Sequence, residues 1–102
     1  MDVSVSNLKS RVLVTITGSV KLTEAEALKN PFEKVLDESK KDVIVDLSQC
    51  PAMSSLGVGK IIFLNHRLEN QNRSMKIISI HENLMKLFTA MKLHTVLNIH
   101  KK

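Results

Sequence analysis

The sequence contains no tryptophan and no tyrosine, and three phenylalanines hold the aromatic content to 3% of 102 residues. Any core is therefore aliphatic, and a row of aromatic platforms for stacking single-stranded nucleic acid is excluded. Cysteine occurs once, at Cys50. No intramolecular disulfide can form, which fits a reducing compartment and leads to the expectation of a cytoplasmic protein. Two prolines and three glycines are too few for a linker or a low-complexity segment. No repeat is present, and residues 1–102 read as a single domain. No apolar run approaches the roughly 18 residues of a membrane span, so membrane insertion is not expected. The opening Met1-Asp2-Val3-Ser4-Val5 lacks the basic start and apolar stretch of a secretory signal.

What is present is ordinary for a globular domain: 43% hydrophobic and 25% charged residues. The formal net charge is +5. A basic protein binds nucleic acid when its charge is clustered. Here Lys and Arg are spread along the chain, and the concentrations at Lys40-Lys41 and Lys101-Lys102 are short. A direct nucleic-acid partner is not expected.

Hydrophobic periodicity gives the elements. Val3 and Val5 alternate with polar residues in a first, edge-like strand. Asn7 to Ser10 supply a turn, and Val12, Val14 and Ile16 mark a second strand ending at Gly18, so the two form a hairpin. From Thr23 to Ser39 the apolar residues at 25, 28, 32, 35 and 36 have helical spacing. Pro31 lies inside this run and predicts a kink or a restart, with Asn30 as N-cap and Glu33 as capping-box acid. Asp42 to Leu47 reads as a strand buried on both faces, central and parallel to a neighbour. Val58, Ile61, Ile62, Asn65 and Leu68 mark a second helix to about Glu69. Met75 to Ile80 is another buried strand. Leu84, Leu87, Phe88 and Met91 give a third helix with one buried face, and Val96 to Ile99 a last short strand. The order β-β-α-β-α-β-α-β is an α/β domain with a mixed sheet and helices mainly on one face.

Several motifs fail on inspection. Gly57-Val58-Gly59-Lys60 lacks the first glycine of a phosphate loop, a position held by Ser54, and Ile61 replaces its magnesium-binding hydroxyl. His66, His81, His94 and His100 do not pair at metal-ligand spacing, and Cys50 has no second thiol beside it. No serine has glycine both two residues before and two residues after it, as a nucleophile elbow needs. A serine hydrolase built on Ser55 would need His66 or His94 as its base. No catalytic residue and no cofactor or metal is expected, and Cys50 reads as a small packed residue.

The stretch Asp46-Leu47-Ser48-Gln49-Cys50-Pro51-Ala52-Met53-Ser54-Ser55-Leu56-Gly57-Val58-Gly59 carries more. Serine before a helix is an N-cap, worth about 1 kcal/mol. Capping accounts for one serine. It does not account for the glycines at 57 and 59, each of which weakens a helix by roughly 1 kcal/mol. Small residues there allow a close approach to the helix start, from the sheet or from a partner. A helix N-terminus also stabilises added negative charge, and Lys60 lies about one turn beyond Ser55.

This stretch resembles the core motif of STAS domains, especially bacterial anti-sigma-factor antagonists, whose pattern is Asp-Leu-Ser, a short spacer, then Met-Asp-Ser-Ser-Gly-Leu-Gly. Asp46-Leu47-Ser48 and Met53 match directly. Ser54 falls on the family's acid, Ser55 on the serine its partner kinase phosphorylates, and Leu56 on the second serine. Gly57, Val58 and Gly59 fall on Gly-Leu-Gly. Gly18-Ser19-Val20-Lys21 stands where the family has Gly-Glu-Leu-Asp, and Leu87 to Leu93 resembles its closing helix and Gly-Leu turn, with Lys92 in place of the Gly.

The resemblance implies a regulatory binding protein rather than an enzyme. Unphosphorylated, it would bind an anti-sigma factor with a GHKL-type serine kinase domain and release the sigma factor. Phosphorylation at Ser55, with Ser54 as the second candidate acceptor, would switch it off, and a PP2C-type phosphatase would reset it. Lys21, Ser54, Ser55, Leu56, Gly57 and Lys60 would meet the partner. The missing acids at Ser54 and Lys21 and the basic charge also fit an alternative, a STAS docking subunit without a phosphoswitch, in a lipid-transporting ABC system or a larger signalling assembly.

Overall fold

The computed structural model describes residues 1–100. Lys101 and Lys102, one of the two basic concentrations noted above, lie outside the described residues. β1 (Asp2–Asn7) and β2 (Arg11–Thr17) form the expected antiparallel hairpin. Its turn is closed by the Leu8 N–H donating to the Arg11 carbonyl at 2.8 Å. β3 (Asp42–Gln49), β4 (Met75–Ile80) and β5 (Asn98–Ile99) follow, each parallel to the strand before it. The strands lie across the sheet in chain order. Every crossover therefore steps in the same direction. Because such crossovers are right-handed, the helices collect on one face.

That face holds the core. Val12, Val14 and Ile16 of β2, Val43, Val45 and Leu47 of β3, and Met75, Ile77 and Ile80 of β4 are buried. β4 keeps Ile80 on the helix side because Ile78 is an extra residue: Val45 pairs with Ile77, but Asp46 pairs with Ser79. β3 is central and parallel to both neighbours, as expected, but it is not buried on both faces. Ile44, Asp46 and Ser48 are only partly covered, and so are Lys76, Ile78 and Ser79 of β4. Among the described residues no helix crosses back to cover the second face, so a polar-apolar mixture suffices there.

The helical run after β2 divides into a 3-10 helix, Leu22–Leu28, and α1 (Lys29–Glu38). Ala25, Leu28, Phe32, Val35 and Leu36 are all buried. The restart is real, but Asn30 is not its cap. α1 begins at Lys29, and Pro31 occupies its first turn, where a missing N–H costs little. α2 spans Ser55–Asn70 and α3 Glu82–Ala90. In α3, Leu84 and Phe88 are buried, whereas Leu87 and Met91 are exposed, which corrects the four-residue face. The helix ends at Ala90, with Met91 as its C-cap, so the contact stripe is only two residues long. The last strand is also shorter than expected: Leu97 is buried before it and Val96 is exposed.

Candidate functional site

The loops after β2 and β3 emerge side by side at the carboxyl ends of parallel strands, the usual place for a site in an open α/β sheet. Gly18 turns the chain out of β2 with φ +89°, and its N–H donates to the Gln49 carbonyl at 2.8 Å. An isolated parallel bridge then joins Val20 to Met53. The Val20 N–H donates to Ala52 O at 2.9 Å, and the Ser54 N–H donates to Val20 O at 2.8 Å. These two bonds fix Lys21 beside the start of α2.

The two serines are distinguished by this geometry. Ser54 has extended backbone angles and is the N-cap of α2. Its Oγ accepts a hydrogen bond from the Gly57 N–H at 3.2 Å. Ser55 is the first helical residue and is exposed, and its hydroxyl makes no hydrogen bond to any described residue.

The glycines differ as much as the serines. Gly57 is buried, and a Cβ there would stand 2.7 Å from Met53 Cγ and 3.0 Å from Val20 Cγ1. Gly57 thus lets the helix start seat on the loop bridge, and its close approach is made inside the molecule. At Gly59 a Cβ would meet nothing within 4 Å. Its smallness serves nothing among the described residues.

Lys60 does not turn back to Ser55. Its Nζ lies 3.2 Å from Glu26 Oε1 on the 3-10 helix. Glu24 on the same segment accepts the Lys21 main-chain N–H at 3.4 Å and lies 3.2 Å from the Met1 amino group, which lowers its pKa. Leu56 is exposed. Cys50 is fully buried, its Sγ 3.4 Å from the Ala52 carbonyl, and burial pushes its thiol pKa up. It packs as expected and is unsuited to nucleophilic chemistry.

Among the described residues, no histidine ring hydrogen-bonds Ser55. His66 lies eleven positions along the same helix, about 16 Å by helical rise. His94 is exposed in the turn after α3, and neither ring hydrogen-bonds Ser55. The sequence pattern singled out Gly59 but not Phe63 or Leu22 as surface features. Phe63 projects from α2 on the face of Leu56 and Gly59, more than half exposed, with the Arg67 guanidinium 5.6 Å from its ring centre. Its position seven residues after Leu56, off the buried stripe of Val58, Ile61, Leu64 and Leu68, was the available signal.

No curated protein sequence matches the chain. Among solved structures, the fold is similar to that of a candidate anti-sigma factor antagonist from Thermotoga maritima. That alignment has a TM-score of 0.86 and 15% identity, covering 98% of this chain and 86% of that one. An anti-sigma factor antagonist from Mycobacterium paratuberculosis gives a TM-score of 0.85 at 15% identity, with 97% and 84% covered. The phosphorylated form of the Bacillus cell fate determinant SpoIIAA gives 0.76 at 14% identity, with 99% and 91% covered. At such identities the likeness establishes the fold. The sequence itself matches the STAS domain family model over residues 3–102, and the chain belongs to the STAS domain family.

Proposed function

We propose that the chain is an anti-sigma-factor antagonist working by partner switching in the cytoplasm. Unphosphorylated, it binds an anti-sigma factor that carries a GHKL-type serine kinase domain, and the sigma factor is released. The kinase transfers the γ-phosphoryl group of ATP to Ser55 Oγ. ADP leaves, and the hydroxyl proton passes to a base of the kinase. About two negative charges then stand in the interface and the complex separates. A PP2C-type phosphatase hydrolyses the phosphoserine and resets the cycle. The protein is substrate and competitor; it catalyses nothing and uses no cofactor.

One observation carries this reading: the Ser54 oxygen is engaged as a cap, while the adjacent Ser55 hydroxyl is exposed, without a hydrogen bond among the described residues, at the positive end of a helix. Lys21, Ser54, Leu56 and Lys60 form the proposed contact surface, and Gly57 seats the helix start that presents Ser55. Mixing the cognate kinase, ATP and the protein should add one phosphate to the intact mass, and Ser55→Ala should abolish it. An unmodified wild-type protein would end the switch.

A second reading is favoured by Lys21 and Ser54, where the family's pattern has acids. The chain would then be a docking subunit without a switch, in a lipid-transporting ABC system or a signalling assembly. Co-purification with a transporter permease, without any phosphoserine, would select it.

A further inference from the structure

We infer that the outer face of α2 docks an acidic amphipathic helix of the partner, with Leu22, Leu56 and Phe63 as apolar anchors and Gly59 as the seat. Leu22 is 64%, Leu56 40% and Phe63 52% exposed. Leu22 opens the 3-10 helix next to Lys21, while Leu56 and Phe63 line one shallow hollow on α2 with Ser55, Gly59 and Lys60. Leu56, Gly59 and Phe63 share one helical face, spaced at i, i+3 and i+7. Gly59 is the low point of that face, since nothing within 4 Å would meet a side chain there. A glycine inside a helix costs roughly 1 kcal/mol, and none of that cost is recovered within the fold. Close approach of a second helix recovers it, because the axes of packed helices come nearer where a contact residue is small.

The charge around this face sets the partner's sign. Lys21 makes no ion pair among the described residues, and the first turn of α2 contains no carboxylate. Lys60 is matched by Glu26. Arg67 lies over Phe63 at the far end of the stripe. Beside Phe63, Glu26 and Glu33 line one cavity with Lys29 and Lys60, so acids and bases balance there; the cations in excess are Lys21 and Arg67 towards the two ends, with the positive end of a helix dipole beside Ser55. Carboxylates flanking an apolar helix stripe complement this face. The same polarity makes a phosphoryl group on Ser55 repulsive to the bound helix, so the surface and the proposed switch act in one direction. The inference rests on the anti-sigma reading only for the identity of the partner.

The test places a photo-crosslinking amino acid at Phe63, at Leu56 and, as a control, at exposed Val96, in the full chain expressed in its own cell. Cross-linked peptides are identified by mass spectrometry. The expected result is crosslinks at positions 63 and 56, absent at 96, to a partner segment rich in Asp and Glu with helical apolar spacing. Recovery should fall about tenfold in Lys21→Glu and persist in Lys21→Arg. Crosslinks to a basic segment, crosslinks only at position 96, or none at positions 56 and 63 would each overturn the inference. If the crosslinks are as expected but the partner is not a serine-kinase anti-sigma factor, the proposed function falls and this docking surface stands. A kinase anti-sigma factor cross-linked elsewhere gives the reverse.

Discussion

The guanidinium of Arg73 reaches across the fold to the main chain of Lys41, its Nε donating to the Lys41 carbonyl at 2.7 Å. Nη1 of the same side chain donates to Val35 O at 3.2 Å and to Gln71 Oε1 at 2.8 Å. Arg73 is almost fully buried, and desolvation lowers its pKa while Asp42 raises it. It joins the last turn of α1, the approach to β3 and the end of α2, where helix carbonyls would otherwise lack partners. Arg73→Met keeps the apolar stem but orphans these acceptors, and should cost about 3 kcal/mol in urea titration. Arg73→Lys should recover only part of that, because one ammonium cannot span carbonyls on three elements. A loss under about 1 kcal/mol for both variants would refute the strut.

On α3 the expected costs separate residues that the sequence pattern treats alike. Phe88→Ala should lose about 3–5 kcal/mol, since Phe88 is fully buried. Leu87→Ala and Met91→Ala should each lose under about 1 kcal/mol. The four-residue spacing is visible in the sequence, but the point where the helix stops is not. That point is set by Lys92, which adopts φ +59° without being glycine.

Lys92 gives its own prediction. A left-handed conformation costs a residue with a Cβ roughly 1–2 kcal/mol, and the family's pattern has glycine at this position. Lys92→Gly should therefore stabilise the protein by about 1 kcal/mol, read as a raised urea midpoint with unchanged slope. A lowered midpoint would mean that the lysine stem contributes packing that outweighs the strain.

Much of the fold was legible because hydrophobic period and strand composition agree in β2, β3 and α1. The open face of the sheet was partly hidden. Val43 to Leu47 is apolar enough to read as a two-faced strand, and only the charge of Asp46 marks the uncovered side. The site was legible at Ser54, a cap by residue type and position. Phe63 was partly concealed within Ile61-Ile62-Phe63-Leu64, four successive apolar residues, and only its place off the stripe of Val58, Ile61, Leu64 and Leu68 marks it as outward. The ion pair of Lys60 with Glu26 joins separate elements and leaves no sequence signal.

The two glycines should respond oppositely to alanine. At Gly57 the added Cβ meets Met53 and Val20 at 2.7 and 3.0 Å. Overpacking of about 1–3 kcal/mol should exceed any gain in helix propensity, so Gly57→Ala destabilises and Gly57→Val does so further. At Gly59 the space is open, and Gly59→Ala should stabilise by up to about 1 kcal/mol. If the outer face of α2 is a docking surface, Gly59→Ala should also weaken partner binding. Thermal melts and calorimetric titration of the same preparations would show the protein becoming more stable and less able to bind.

The serines give the sharpest separation. Ser54→Ala removes the hydroxyl that accepts the Gly57 N–H, and should cost about 1 kcal/mol of stability. It should leave the modification of Ser55 intact. Ser55→Ala removes an exposed hydroxyl without a partner, so stability should change by under about 0.5 kcal/mol while phosphorylation is lost. Ser55→Asp places a carboxylate in the first turn of α2, which favours the helix by a few tenths of a kcal/mol. It also adds negative charge at the proposed partner surface, and affinity should fall about tenfold or more. A purely structural role for Ser55 would move stability and affinity together; the switch moves them apart. Intact mass after incubation with kinase and ATP assigns the acceptor directly. Phosphate on Ser55→Ala but not on Ser54→Ala would transfer the switch to Ser54, and would require the capping hydroxyl to leave Gly57 before it reacts.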